Sequence, residues 1–325
     1  LDPVVEALDL HLTAPTLTDL RSDLSRVNDA AQDAGFAPLV GDPLLLSAVS
    51  QFLRKDSWQA RLALRSKEKY SHICAVLPVD TPLLGLAVDL GSTKLAVYLV
   101  DLQTGVTLAK TGVMNPQIAF GEDVVSRIAF ANQSEENRLL LQSRLIDSLN
   151  QAVHDLCAAA GALPEQIADA VVVGNTAMHQ FFCRLPVEQL GAAPYVPAVT
   201  QPLSISAADL GLHLAPGADV FLPANIAGYV GADHTSALLT TSDLPKGHII
   251  ALVDIGTNTE ISLVCGDNIY SCSCASGPAF EGAHIRDGMR AAPGAIESVH
   301  IQPSGNQIGV IGRQAPVGIC GSGIL

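Results

Sequence analysis

Apolar and polar positions change period several times along the chain, and the changes mark its elements. Leu8, Leu10 and Leu12 alternate with Asp9 and His11, the two-residue period of a half-buried strand. Pro15-Thr16-Leu17-Thr18-Asp19 reads as a helix start, with the helix running to about Gly35. A second helix fits Pro43 to Leu53, and Trp58 to Leu64 with Tyr70 to Leu77 fit a hairpin around the charged turn Lys67-Glu68-Lys69. Pro78-Val79-Asp80-Thr81-Pro82 then reads as a linker, because both prolines discourage regular structure. Beyond it, strands over 84–90 and 94–101 and from Val106 to Val113 predict three antiparallel neighbours, followed by helices from Glu122 to Ala131 and from Glu135 to Ala160. Ala168 to Val173 is a buried strand running into Gly174-Asn175-Thr176 and a helix from Ala177 to Phe182, the way parallel α/β sheets place functional loops. Residues 191–217, rich in Pro and Ala, predict an irregular excursion, and Val220 to Pro223 precedes a helix from about Gly228 to Leu239.

One stretch organises this order. Gly85-Leu86-Ala87-Val88-Asp89-Leu90 is an apolar strand with an acid at its end, Gly91-Ser92-Thr93 is a tight turn of small residues, and Lys94 opens a second strand. Gly91 is expected to supply positive φ and close approach, with the Ser92 and Thr93 hydroxyls beside exposed backbone N–H groups, a combination suited to a phosphate and its metal ion. An ordinary hairpin with an acidic turn has the same pattern. A second copy shifts the balance: Ala251-Leu252-Val253-Asp254-Ile255-Gly256-Thr257-Asn258-Thr259-Glu260, again followed by apolar alternation. Two such hairpins can face each other across a cleft.

Composition adds limits. A 325-residue chain with 48% hydrophobic residues can bury sizeable cores, and we expect an α/β protein with a small α+β domain over 1–82, a first lobe over 83–245 and a second over 246–325. A net charge of -14 argues against a sequence-independent grip on nucleic acid. No uninterrupted apolar segment approaches the roughly 20 residues of a membrane span, and the first residues lack the basic start of a signal peptide, so a cytoplasmic location is expected. Seven scattered cysteines, an odd number, read as reduced thiols. Position 1 is not Met and the chain stops at Cys320-Gly321-Ser322-Gly323-Ile324-Leu325, within what reads as a loop entering a helix, so part of a longer protein is expected.

Familiar phosphate and metal motifs are missing. The sequence has no P-loop G-x-x-x-x-G-K-S/T, no G-x-G-x-x-G after a strand and no H-E-x-x-H. The paired hairpins instead resemble the actin-like ATPase superfamily of sugar kinases, acetate kinases and chaperone ATPases. Five further segments sharpen the likeness: Asn115 to Ile128, Val173 to His179, Ala227 to Asp233, Cys274 to Ala283 and Gly318 to Gly323. Together these resemble the ATP-dependent reductive activators of corrinoid proteins, with residues 1–82 similar to the middle domain of that family.

The resemblance implies actin-like (ribonuclease H-like) ATPase lobes preceded by a small α+β domain. It implies ATP hydrolysis between the lobes in support of the reduction of a Co(II) corrinoid to Co(I), a corrinoid protein of a methyltransferase system as partner, and an electron-carrying 2Fe–2S cluster on a domain outside this chain. Asp89 and Asp254 would hold Mg²⁺ through a bound water, while Gly91, Ser92, Thr93 and Lys94 on one hairpin and Gly256, Thr257 and Asn258 on the other would address the phosphates. Carboxylates near metal and backbone donors near phosphate are the residue types that phosphoryl chemistry needs.

Other positions divide between a function and a plain structural role. Glu122 and Asp123 can orient water or simply favour a helix N-terminus, and Asn175 and Asp233 can line a cleft or simply turn the chain. Cys272 and Cys274 point the same way on a strand but make half a cluster ligand set, although the related activators of 2-hydroxyacyl-CoA dehydratases hold a cluster between subunits; for this protein a homodimer is one expected assembly. Two other functions remain open on residues alone: a small-molecule phosphotransferase of the same superfamily, and a non-enzymatic nucleotide-sensing docking module.

Overall fold

The computed structural model describes residues 3–244, 247–256, 258–277, 279, 282, 285–303 and 305–324. The chain forms two units, Leu1–Asp233 and His234–Leu325.

The first unit opens with a four-stranded sheet of order β1-β3-β4-β2. β1 (Val5–His11), β3 (Gln59–Ser66) and β4 (Ser71–Leu77) run antiparallel, and the short β2 (Leu39–Val40) lies parallel to β4 at the edge. Helix α1 (Asp23–Asp33) begins well after Pro15. Thr16 and Asp19 close a turn through reciprocal backbone hydrogen bonds, and Asp19 takes up Arg21 and Arg26. The helix then starts at its own cap, Ser22, whose side chain accepts from the Ser25 N–H. Helix α2 (Pro43–Lys55) follows the same logic, with Asp42 as the cap and Pro43 in the first turn.

β3 is buried on both faces. Leu62 and Leu64 join Leu8, Leu10, Leu45, Val49 and Leu53 beneath the helices. Ala63 on the other face joins Val5, Cys74, Ala75 and Leu77 in the core of the next sheet. That double burial explains an apolar run where a surface strand would alternate.

The second sheet has six strands in the order β7-β6-β5-β8-β10-β9. β5 (Leu84–Leu90), β6 (Lys94–Asp101) and β7 (Thr107–Met114) form the antiparallel meander expected from the sequence. A 3-10 turn at Pro116–Phe120, α3 (Val124–Ala131) and α4 (Glu135–Ala160) lead to β8 (Ile167–Gly174), which pairs in parallel with β5. Leu141, Leu145, Leu149, Val153 and Leu156 recur at helical spacing along α4 and pack on the sheet. α5 (Thr176–Phe182) leaves β8 directly. The excursion expected to be irregular holds β9 (Leu203–Ser206) and the short α6 (Ala207–Leu210), before β10 (Asp219–Leu222) closes the sheet parallel to β8. α7 (Ala232–Leu239) carries the boundary between the units in its first turn.

The second unit contains an antiparallel sheet of β11 (Ile249–Ile255), β12 (Asn258–Cys265) and β13 (Asn268–Ala275). A smaller sheet joins β14 (Ala295–His300), β15 (Gln307–Val310) and β16 (Gly318–Ile319). In β12 the polar Glu260 and Ser262 are buried, while Ile261 and Leu263 are exposed on the opposite face.

Within the first unit, one buried ion pair ties the two sheets. Arg65 on β3, 6% exposed, donates to Asp169 on β8 at 2.5 Å and lies 3.5 Å from Asp219 on β10. Removing one partner leaves the other charge uncompensated and largely shielded from water. Arg65→Ala is therefore expected to lower the stability of the first unit by about 3 kcal/mol in urea unfolding. The paired Arg65→Met/Asp169→Leu variant should recover most of that loss, and an equal loss in both variants would contradict the account.

Candidate functional site

Asp89 is the penultimate residue of β5, paired with Ala96 on one side and with Val173 of the parallel β8 on the other. Its side chain is exposed. The register also sets Leu90 beside Gly174, so the Gly91 turn and the β8–α5 connection emerge at the carboxyl ends of adjacent parallel strands. Ligands of open α/β sheets bind at such strand ends.

Gly91 is required here for a different reason than expected. Its φ lies outside the left-handed region, but a Cβ at this position would sit 2.3 Å from the Lys94 carbonyl oxygen. Any side chain would force the turn open. Ser92 and Thr93 are half-buried and Lys94 is exposed.

All three carbonyls of the turn are held from behind. The Asn115 side-chain amide donates to the Gly91 oxygen at 2.8 Å, and the Asn115 backbone N–H donates to the Thr93 oxygen at 3.0 Å. Arg127 Nη2 donates to the Ser92 oxygen at 2.6 Å. Both donors are buried, Asn115 at 1% exposure and Arg127 at 0%. The acceptor ends of the turn, which would repel an anion, thus face protein.

Asn115 is itself fixed as the cap of the 3-10 turn, accepting from the Gln117 N–H at 2.9 Å, and Gln117 in turn reaches the Leu141 carbonyl on α4 at 3.0 Å. Arg127 extends from α3, with Nε on the Gly121 carbonyl at 2.9 Å and Nη1 3.6 Å from the Met178 sulfur. Burial lowers its pKa to about 10, which leaves it a cation near neutral pH. Neither role is apparent from the Asn115-to-Ile128 segment as a family-like stretch. The available signals were an Asn immediately before Pro, which marks a cap, and an Arg among apolar residues of a short helix, which cannot be buried without partners.

Two of the other first-unit positions are helix caps. Asp123 caps α3, accepting from the Ser126 N–H at 2.7 Å within a reciprocal capping box, and this hydrogen bond is the main reason that its pKa lies below the usual carboxylate value. Glu122 is exposed beside it. Asn175 caps α5 through the Met178 N–H at 3.0 Å, and Asp233 lies in the first turn of α7.

In the second unit, Asp254 has the position that Asp89 has in the first: penultimate in its strand, exposed, with the turn directly after. The Gly256 N–H donates to the Asn258 carbonyl at 3.1 Å across the turn. Thr257 lies outside the described residues, as do Pro278, Phe280, Glu281 and Ala283 of the Cys274-to-Ala283 segment. Directly opposite Asp254 stands Glu260, 8% exposed, which accepts from the Ser273 hydroxyl at 2.8 Å. Burial pushes its pKa up; the Ser273 bond opposes the shift and the nearby Asp254 charge adds to it. One step along the same face, Ser262 bridges His234 Nε2 at 2.7 Å and the Ser271 hydroxyl at 2.6 Å. Sequence reasoning missed Glu260 and His234, because a buried polar face looks like surface when only the period is read.

Cys272 and Cys274 stand opposite Ile261 and Thr259, on the other side of this sheet, and both are exposed. Among the described residues no group of three or more His, Cys, Asp or Glu side chains could hold a metal ion, and no helix is long and apolar enough to cross a membrane.

Comparison with known proteins agrees along the whole length. The RACo linker region matches residues 1–82, the RACo middle region matches 84–245, and the C-terminal domain of RACo, the ASKHA domain, matches 248–325. The small N-terminal domain thus corresponds to the linker region, and the middle-region description falls on the following residues. The corrinoid activation enzyme RamQ of Eubacterium limosum is 37% identical over 248 residues, covering 76% of this chain and 41% of that protein. The Co(II) methylated amine-specific corrinoid protein reductase of Methanosarcina barkeri is 28% identical over 234 residues, covering 68% and 41%. A solved reductive activator for corrinoid, iron-sulfur protein superimposes with a TM-score of 0.85 at 34% identity, over 100% of this chain and 52% of that one. The chain therefore spans about half or less of the length of these relatives. With its three consecutive regions matched and an ASKHA, actin-like domain at its C-terminal end, the chain belongs to the RACo family of corrinoid-protein reductive activators.

Proposed function

We propose that this chain is the ATP-using part of a reductive activator that returns a corrinoid protein from Co(II) to Co(I). The observation that carries the reading is the Gly91–Thr93 turn with its three carbonyls drawn inward at the end of β5, in a chain of the RACo family. The names of two relatives, one a Co(II) corrinoid protein reductase and the other a reductive activator for corrinoid, iron-sulfur protein, support the substrate class. The division into a small domain over 1–82 and lobes over 83–245 and 246–325 goes with the reading, since the three matched regions fall on nearly the same spans.

In this reading Gly91, Ser92, Thr93 and Lys94 bind the β- and γ-phosphates through turn N–H groups, hydroxyls and the Lys94 ammonium. Gly256, Thr257 and Asn258 serve the second hairpin in the same way. Mg²⁺ would neutralise phosphate charge and needs only one or two carboxylates beside phosphate and water, which suits the exposed Asp89 and Asp254, each acting through a bound water. Hydrolysis consumes water and yields ADP and phosphate, while the cobalt gains one electron. In this reading that electron comes from an iron–sulfur domain outside these residues. All seven cysteines are unpaired, which fits a reducing, cytoplasmic compartment.

The full-length protein is expected to accelerate the Co(II)-to-Co(I) conversion of its corrinoid partner, read from the corrinoid absorption spectrum, only when ATP is present. Asp89→Ala and Asp254→Ala should each abolish ATP hydrolysis with partner binding intact. Wild-type reduction at the same rate without ATP would refute the reading, and a phosphorylated metabolite among the products would favour a kinase. Gly91→Val should weaken ATP binding by at least about tenfold, the loss of roughly one charge-assisted hydrogen bond as the turn opens. Unchanged affinity in a calorimetric titration would place the phosphates elsewhere.

A further inference from the structure

Every guanidinium nitrogen of Arg127 is engaged, and among the described residues none of its hydrogen-bond partners is an anion: they are the Ser92 and Gly121 carbonyls and the Met178 sulfur. The side chain is 0% exposed. Asp123, the carboxylate that acts on it electrostatically, is committed to capping α3 through the Ser126 N–H. A buried cation held by neutral groups is costly, and a negative charge arriving in front of the turn would offset that cost. The partner of Arg127 in that position is the central carbonyl of the turn, with Asn115 on the carbonyls to either side.

We propose that Arg127 and Asn115 are positioning residues of the phosphate site: together they turn the three carbonyls of Gly91, Ser92 and Thr93 inward, and the buried charge of Arg127 takes the phosphate chain as its counter-charge. The proposal deepens the nucleotide reading and rests on it. It differs from a purely architectural role, in which Arg127 merely ties the hairpin to α3. An architectural tie serves any ligand of the site equally, whereas a charge behind the turn acts on phosphate and hardly on adenosine. It also separates the two donors: Asn115 contributes orientation only, and Arg127 contributes orientation and charge.

The test compares Mg·ATP and adenosine binding to the full-length protein by titration calorimetry. Arg127→Met is expected to lose at least about tenfold in ATP affinity and to keep adenosine affinity within about twofold, since what is lost is a charge-assisted contact. Arg127→Lys keeps the cation but can serve only one carbonyl, and should recover ATP affinity to within about threefold of wild type. Equal ATP binding by Arg127→Met and wild type overturns the proposal while leaving the ATP reading intact. Parallel losses for ATP and adenosine mark an architectural role and also overturn it. Wild-type protein that binds no nucleotide overturns the ATP reading and this proposal together. Should Arg127→Met not fold, Asn115→Ala carries the test: about a threefold loss for ATP with none for adenosine supports it, and no loss for ATP overturns it.

Discussion

A short turn presents both ends of its peptide dipoles, and it can receive an anion only when the carbonyl ends point away. In this chain that constraint is met by two buried residues downstream in sequence, through two side chains and one backbone N–H. Asn115 and Arg127 take the three carbonyls of Gly91, Ser92 and Thr93, and Gly91 lets the chain pass within a distance of the Lys94 carbonyl that no side chain would permit. The turn is therefore shaped from behind, by the 3-10 turn and α3, as much as by its own residues.

The rest of the first unit keeps that arrangement rigid. α4 lies across β6 and β7 with its apolar stripe and holds Gln117, which steadies the turn that Asn115 caps. The parallel register of β5 and β8 sets Asp89 and the β8–α5 connection at one end of the sheet. Arg65 fastens the small N-terminal sheet to β8 and β10, so the linker region and the six-stranded sheet share one core.

Legibility followed the physics of each segment. β5 and β6 could be bounded from sequence because a strand period meets small turn residues at both ends of the hairpin, and α4 because Ser134 and Gly161 bracket a long helical period. The start of α1 was misplaced because a Pro-Thr-x-Thr-Asp run makes a self-contained turn as readily as a helix start. The roles of Asn115 and Arg127 were illegible because they are long-range, depending on which carbonyls a folded hairpin presents to them. Glu260 was passed over because it sits in an alternating strand whose polar side is the buried one. Asp123 and Asn175, where a plain structural role stood beside a functional one, proved to be caps.

The central claim, that phosphate is received at the Gly91–Thr93 turn, can be tested by following backbone amide resonances of isotopically labelled protein during titration with Mg·ATP and, separately, with adenosine. The account predicts that the amides of Ser92, Thr93 and Lys94 shift with Mg·ATP and stay in place with adenosine. Saturation by Mg·ATP with those three amides unmoved would contradict it.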